Sequence, residues 1–353
     1  IYDFISEGET IGVFQLESSG MIDLCKRIKP GTLDDITAIN ALYRPGPLGS
    51  GMVDDFIEIK HGRRDMVFPF PELAPVLKDT YGVVVYQEQV MNTARVIAGY
   101  SLGQADMLRR AMGKKKADEM DRHKAIFLKG AEEKGFNLQK ASDLFDLMAK
   151  FAEYGFNKSH AVAYADIAYQ TAFLKYYYPA AFFAALLSTE LSNMDKVTVY
   201  IGDAKRFEII VLPPDVNESL WQFNVVGKNI RFGMGALKNV GEGAVAEIIR
   251  ERTEHGAFKG LVDFCERVNL KLVNKRVFES LIKVGAFDSC EKFNRKTLID
   301  NLELVTGYAA KKQEAKSQGL VGLFDVLDEA GDSQERLDLV QSDDFSEKEK
   351  LGY

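Results

Sequence analysis

Over residues 1–207, apolar side chains recur three and four positions apart, and Gly or Pro interrupts the pattern at helix-sized spacings. Such a period belongs to helices that each bury one stripe, so the chain is expected to be mostly α, with a helical domain over 1–207. The start signals agree. Ser18 or Ser19 precedes MIDLCKRI and Thr32 precedes LDDITAINALYR, each a hydroxyl able to accept from first-turn N–H groups. Pro45, Gly46 and Pro47 stop the second of these helices. In SLGQADMLRRAMGKKK, Ser101 and Gln104 have capping-box spacing, and Gly113 is placed to end the helix in a left-handed conformation. SHAVAYADIAYQTAFLKYYYPAAFFAALLS predicts a helix from about Ser159 to Tyr178, then another with Pro179 in its first turn. Ala161, Ala165, Ala168 and Ala172 form a small-residue face on the first of them, where a neighbour can approach closely.

The pattern changes at residue 208. EIIVLPPDVN reads as strand then turn, and FNVVGKNIRFG as two short strands about a Gly-Lys-Asn turn. ALKNVGEGAVAEIIRER reads as helix, Gly-x-Gly turn, helix, with a weaker echo in VNKRVFESLIKVGAFDS. A chain of 353 residues exceeds what one core usually serves. The expected division is a helical domain over 1–207, a small mixed α+β segment with tandem helical hairpins over 208–290, and a linker with an acidic tail over 291–353.

The net charge of −7 argues against a nucleic-acid binder until it is located. Residues 325–353 hold ten acidic and three basic residues, so the tail carries the whole imbalance. Residues 95–129 hold nine Lys or Arg against four Asp or Glu, which is where a phosphate-bearing partner would be drawn. The longest uncharged apolar stretch, residues 176–189, has 14 residues and is too short to span a bilayer. Cys25, Cys265 and Cys290 show no C-x-x-C spacing and read as free thiols in a reducing compartment, the cytoplasm. The opening Ile1-Tyr2-Asp3-Phe4 lacks a signal peptide's parts and reads as a cut from a longer chain.

Four constellations carry chemistry, each beside a plainer reading. Arg109 and Arg110 with Lys114 gather forks and a point charge suited to a triphosphate; cations at a helix end also simply complement its dipole. Lys158, His160 and Tyr164 in EYGFNKSHAVAY place a cation, an imidazole and a ring together, which suits phosphate and a stacked base, or a histidine packed beside a tyrosine. Arg44 sits among the prolines and glycines of NALYRPGPLGSGM, facing a ligand or exposed on a structural turn. Gly241-Glu242-Gly243 lies between helices, where backbone N–H groups can bind a duplex phosphate without reading bases, or joins a plain helical hairpin. No D-x-D pair is present, and His61, His123, His160 and His255 are scattered, so no metal site is expected.

In order along the chain, TIGVFQLES, NALYRPGPLGSGM, GYSLGQADMLRRAMGKKK and EYGFNKSHAVAYADIAYQTAFLKYYYP resemble the C-family bacterial replicative DNA polymerases. The resemblance continues through VLPPDVNES and ALKNVGEGAVAEII, covers about residues 10–289, and is followed by SQGLVGLFD, similar to the family's segment after the hairpins. It implies a helical polymerase fingers domain that closes over the incoming deoxynucleotide (dNTP), followed by helix-hairpin-helix units that grip duplex product. By motif, Arg109, Arg110 and Lys114 would hold the triphosphate with Arg44 nearby; Lys158, His160 and Tyr164 would border the nascent base pair. Lys238, Gly241 and Gly243 would face duplex phosphates. Mg2+ would be held by palm aspartates outside these residues, leaving this fragment without activity of its own. Implied partners are primer-template DNA, dNTP, a sliding clamp and other replicase subunits. Gln104-Ala105-Asp106-Met107-Leu108 looks like a clamp-binding peptide, but its capped-helix setting argues for helix. The rivals are a non-enzymatic helix-hairpin-helix DNA-binding module and a helical interaction domain.

Overall fold

A computed structural model describes residues 1–114, 117–152, 155–318, 337 and 339–350, with backbone only at 113, 114, 117, 118, 151 and 152. Contacts divide the chain into two compact units, Ile1–Tyr177 and Tyr178–Tyr353.

The first unit is helical. Its helices are α1 (Tyr2–Ser6), α2 (Ser19–Ile28), α3 (Leu33–Leu42), α4 (Pro45–Gly49), α5 (Met52–Lys60), α6 (Ala74–Leu77), α7 (Gln87–Ala98), α8 (Leu102–Lys114), α9 (Ala117–Glu133), α10 (Leu138–Ala152) and α11 (Lys158–Tyr177). The capping signals work as read. Ser18 Oγ accepts from the Met21 N–H, and Thr32 and Asp35 form a reciprocal box, as do Ser101 and Gln104. On α11 the alanine face is fully buried at Ala161, Ala165, Ala168 and Ala172 and packs on α3, whose Ile36, Ile39 and Leu42 join the same core. A second core lies among α7, α8, α9 and α10, around Ile97, Leu108, Phe127, Phe145 and Met148. Gly113 does not stop α8, which continues to Lys114. The buried Ala111 and Met112 hold that last turn against the core, where packing outweighs glycine's preference.

The second unit contains α12 (Pro179–Thr189), α13 (Met194–Arg206), strands β1 (Val211–Leu212), β2 (Asn224–Val226) and β3 (Asn229–Arg231), then α14 (Glu242–His255), α15 (Leu261–Arg267), α16 (Lys275–Lys283), α17 (Arg295–Asp300), α18 (Leu302–Ser317) and α19 (Glu347–Lys350). The sheet order is β1-β3-β2, with β2 and β3 antiparallel about a two-residue loop in which Gly227 takes φ +61°, and β1 parallel to β3. Pro179 opens α12 at its first turn, and α12 packs on β2 and β3. Residues 178–207 continue the helical pattern of the chain before them, but their contacts group them with the strands.

Two expectations change here. The first limb of the 234–255 hairpin is a 3-10 turn, Met234–Ala236, instead of a helix, and Gly243 lies inside α14. The Met234 and Gly235 N–H groups are taken by the Leu220 and Trp221 carbonyls, at 2.8 and 2.9 Å, and a Cβ on Gly235 would stand 2.7 Å from the Trp221 ring; the chain there follows these contacts, not a helical repeat. Residues 291–353, read as linker and tail, include α17 and α18, whose Leu298, Leu302, Val305 and Ala309 fill the unit's core. Residues 339–346 then run along α17. The Asn301 amide pairs with both main-chain groups of Val340, at 2.8 and 3.0 Å, and Thr297 Oγ1 does the same for Ser342, at 3.2 and 3.0 Å. The SQGLVGLFD string lies outside the described residues from 319 onward.

Candidate nucleotide and nucleic-acid interface

The first site is built around the start of α7. Tyr86 is buried and forms a parallel bridge with Phe156, through Gln87 N–H to the Phe156 carbonyl at 2.9 Å and Phe156 N–H to the Val85 carbonyl at 3.2 Å. The turn into α7 is pinned by Gln89, whose side-chain oxygen accepts from the Val85 and Tyr86 N–H groups and whose amide donates to Thr80 Oγ1. The chain from Phe156 passes straight into α11. Asn157 Oδ1 accepts from the His160 N–H, and Glu88 Oε2 accepts from the Lys158 N–H at 3.0 Å, two answers to the unpaired donors of the α11 N-terminus.

From that start, side chains rise in a ladder. Arg44 Cζ lies 4.6 Å from the Phe156 ring centroid, Phe156 is 5.5 Å from His160, His160 is 4.2 Å from Tyr164, and Tyr164 is 5.2 Å from Phe14. Lys158 Nζ lies 5.5 Å from the Tyr86 ring. Arg44 serves as the N-cap position of α4, donates through Nε to the Ala41 carbonyl, and has its pKa lowered by burial while remaining a cation. His160 is exposed and Tyr164 half-buried, so the rings present an edge to solvent.

Arg109 reaches the same place from α8. Its Nε and Nη2 donate to Asp106 Oδ1 at 3.0 and 2.8 Å, and its Nη1 donates to Gln87 Oε1 at 3.1 Å. Gln87 Nε2 in turn donates to the Gly155 carbonyl at 3.1 Å. Arg110 pairs with the other Asp106 oxygen at 2.8 Å and is otherwise exposed. Hydrogen bonds from Arg109, with the charge of both arginines, hold the Asp106 carboxyl below the usual range. Arg44, Arg109, Lys158, His160 and Tyr164 thus meet through one contact chain, while Arg110 is joined to it by Asp106 alone. The side chain of Lys114 lies outside the described residues, as do Lys115 and Lys116. Sequence reading missed Gln87, Glu88, Asp106, Phe14 and Phe156. The signal available was the polar pair Gln87-Glu88 directly after the apolar run VVVY, where a helix begins against the core. Residues 104–108 are helical, with Ala105 and Leu108 buried.

In the second unit Gly241 is the N-cap of α14 and offers no side chain to its first-turn N–H groups. A Cβ at Gly241 or Gly243 would meet nothing within 4 Å, and Gly241 has φ −92°, so the fold itself does not require glycine at either place. Lys238 is exposed just before them. The helix is held from behind: Arg252 donates to the Val216 and Ser219 carbonyls at 2.7 Å, and Arg250 is paired with Glu247, Glu251 and Glu254. The echo hairpin differs, because Asn274 Oδ1 already accepts from the Arg276 and Val277 N–H groups at the start of α16.

Among the described residues no group of three His, Cys, Asp or Glu could hold a metal ion, and no helix is long and apolar enough to cross a membrane. Cys25 and Cys265 are buried, and burial pushes the Cys25 thiol up to about 12.

Residues 1–135 match the family model described as bacterial DNA polymerase III alpha subunit finger domain, and residues 208–298 match a helix-hairpin-helix motif. The DNA polymerase III subunit alpha of Campylobacter jejuni is 46% identical over 357 residues, covering 100% of this chain and 30% of that protein. The Thermus aquaticus subunit is 49% identical over 333 residues, covering 93% and 27%, and that of Escherichia coli K12 46% over 334 residues, covering 93% and 29%. The chain therefore spans less than a third of the length of these relatives. With both matched regions in the same order as the helical site and the α14 hairpin, the chain belongs to the DNA polymerase III alpha-subunit family, of which it carries the fingers and helix-hairpin-helix region.

Proposed function

We propose that the first unit binds the triphosphate and base of an incoming dNTP, and that the second unit holds primer-template duplex through its phosphates, as parts of a bacterial replicative DNA-directed DNA polymerase. The observation that carries the reading is the meeting of a forked cation on α8 with an aromatic ladder on α11. A triphosphate asks for several converging donors, and a base pair asks for flat rings at its edge. Arg109, Arg110 and Lys114 serve the phosphates, Arg44 stands behind them, and Lys158, His160 and Tyr164 border the base. Lys238 and the open first turn of α14 at Gly241 and Gly243 take a duplex phosphate without reading sequence. Among the described residues no group of three His, Cys, Asp or Glu could hold a metal ion; Mg2+ would be held by palm carboxylates of the full enzyme, and the chain alone is expected to incorporate nothing. Cytoplasmic replication, with a sliding clamp and other replicase subunits as partners, is the setting.

The test uses a full-length alpha subunit carrying this sequence. Arg109→Glu is expected to raise the nucleotide KM or depress kcat; unchanged nucleotide handling would favour the rival reading, a DNA-binding module whose hairpin alone matters.

A further inference from the structure

An arginine has five N–H donors, and three of those on Arg109 are engaged: Nε and Nη2 on Asp106, Nη1 on Gln87. Asp106 lies one turn earlier on the same helix, so it orients the guanidinium relative to α8 alone. Gln87 belongs to another helix. Its side-chain oxygen takes Arg109, its amide nitrogen gives to the Gly155 carbonyl, and its backbone N–H gives to the Phe156 carbonyl. The Gln87 amide accepts at its oxygen and donates at its nitrogen without carrying charge. Gly155 and Phe156 lead into Lys158 and His160, and Phe156 itself is the rung between Arg44 and His160. One side chain therefore fixes the direction in which Arg109's two remaining donors point relative to the ladder. Small misplacements of groups that must engage one ligand together cost rate or affinity far out of proportion to their size.

We propose that Gln87 is a positioning residue that acts on the nucleotide through Arg109 and registers the α8 cation with the α11 rings. The inference rests on the nucleotide reading above. The experiment is steady-state primer extension by a full-length alpha subunit carrying this sequence, with Gln87→Met, Gln87→Glu, Arg109→Ala and each Gln87 change combined with Arg109→Ala. Gln87→Met raises the KM of all four nucleotides by about tenfold, the scale of one hydrogen bond to a charged group, and leaves the primer-template KM unchanged. Gln87→Glu raises it further, because its carboxylate competes for the fork and cannot donate to Gly155. It keeps the side chain's shape and carries the test should Gln87→Met fail to fold. In the Arg109→Ala background either change adds less than about twofold, the mark of residues acting as one unit.

A full tenfold rise in that background overturns the positioning role and leaves the nucleotide reading standing. Normal nucleotide KM in both single Gln87 variants overturns it as well. An Arg109→Ala enzyme with normal nucleotide KM and kcat removes the nucleotide reading and this inference together.

Discussion

Replacing Asp35 by alanine should loosen the first unit more than any surface change. Its carboxylate is 4% exposed, and Oδ2 accepts from the Gly31 N–H at 2.9 Å, the Thr32 N–H at 3.1 Å and Lys60 Nζ at 2.8 Å, while Oδ1 accepts from the Tyr81 hydroxyl at 3.1 Å. The substitution removes half of the α3 capping box, worth about 1 kcal/mol, and strands Lys60, itself 11% exposed, without its counter-charge. Breaking one side of a buried pair costs about 3–5 kcal/mol, and because the cap and the pair share one carboxylate the losses overlap, so about 3–5 kcal/mol is the expected total. Native-state hydrogen exchange of the α3 and α11 amides measures it directly. Lys60→Met in the Asp35→Ala background should restore part of the loss, since it removes the stranded charge. The pH dependence has a definite sign. Burial pushes the Asp35 pKa up, but Lys60, the Gly31 N–H and Tyr81 together outweigh it and leave the pKa lowered. A carboxyl with a depressed folded pKa contributes stability that is complete above its unfolded value of about 3.9 and is lost as pH falls through the folded value. Protection in Asp35→Ala within about 1 kcal/mol of the parent protein would refute this account of the network.

Further outcomes are expected. Gly243→Ala should leave stability equal or raise it by up to about 1 kcal/mol, since a Cβ there meets nothing, yet weaken duplex binding; Gly235→Ala should destabilise because Trp221 blocks it. Melting curves and fluorescence anisotropy with a DNA duplex separate the two, and binding in the parent protein should fall with salt at a log–log slope of roughly −0.9 per phosphate. Asn301→Ala should remove hydrogen-exchange protection from the Val340 amide while leaving α18 protected, because that amide donates to the Asn301 side chain at 3.0 Å.

Much of the helical architecture was legible because its causes are local. A hydroxyl at Ser18, Thr32 or Ser101 and an apolar residue every three or four positions are read from neighbours a turn away. The alanine face of α11 declared a close partner without saying that α3 would be the partner. The site was legible in its cations and rings but not in its joints: Gln87 meets Arg109 across 22 positions and Gly155 across 68, and nothing in the spacing of the string connects them. The hairpin's first limb departs from the expected helix because the Met234 and Gly235 N–H groups answer to Leu220 and Trp221, contacts invisible to periodicity. Residues 302–317 fall within the expected linker, yet LELVTGYAAKKQEAKS turns a narrow stripe of Leu302, Val305 and Ala309 to the core.

The grip of Asn301 and Thr297 on residues 340 and 342 falls on main-chain atoms alone. Val340 keeps its own side chain largely in solvent. Over evolutionary time such a clasp is indifferent to the letter at 340: that position can drift, proline excepted, and still follow the same path, whereas Ser342 also donates its hydroxyl to Asp300 at 2.7 Å. Selection would then press on the asparagine and the threonine, the two fingers of the clasp, and leave position 340 free.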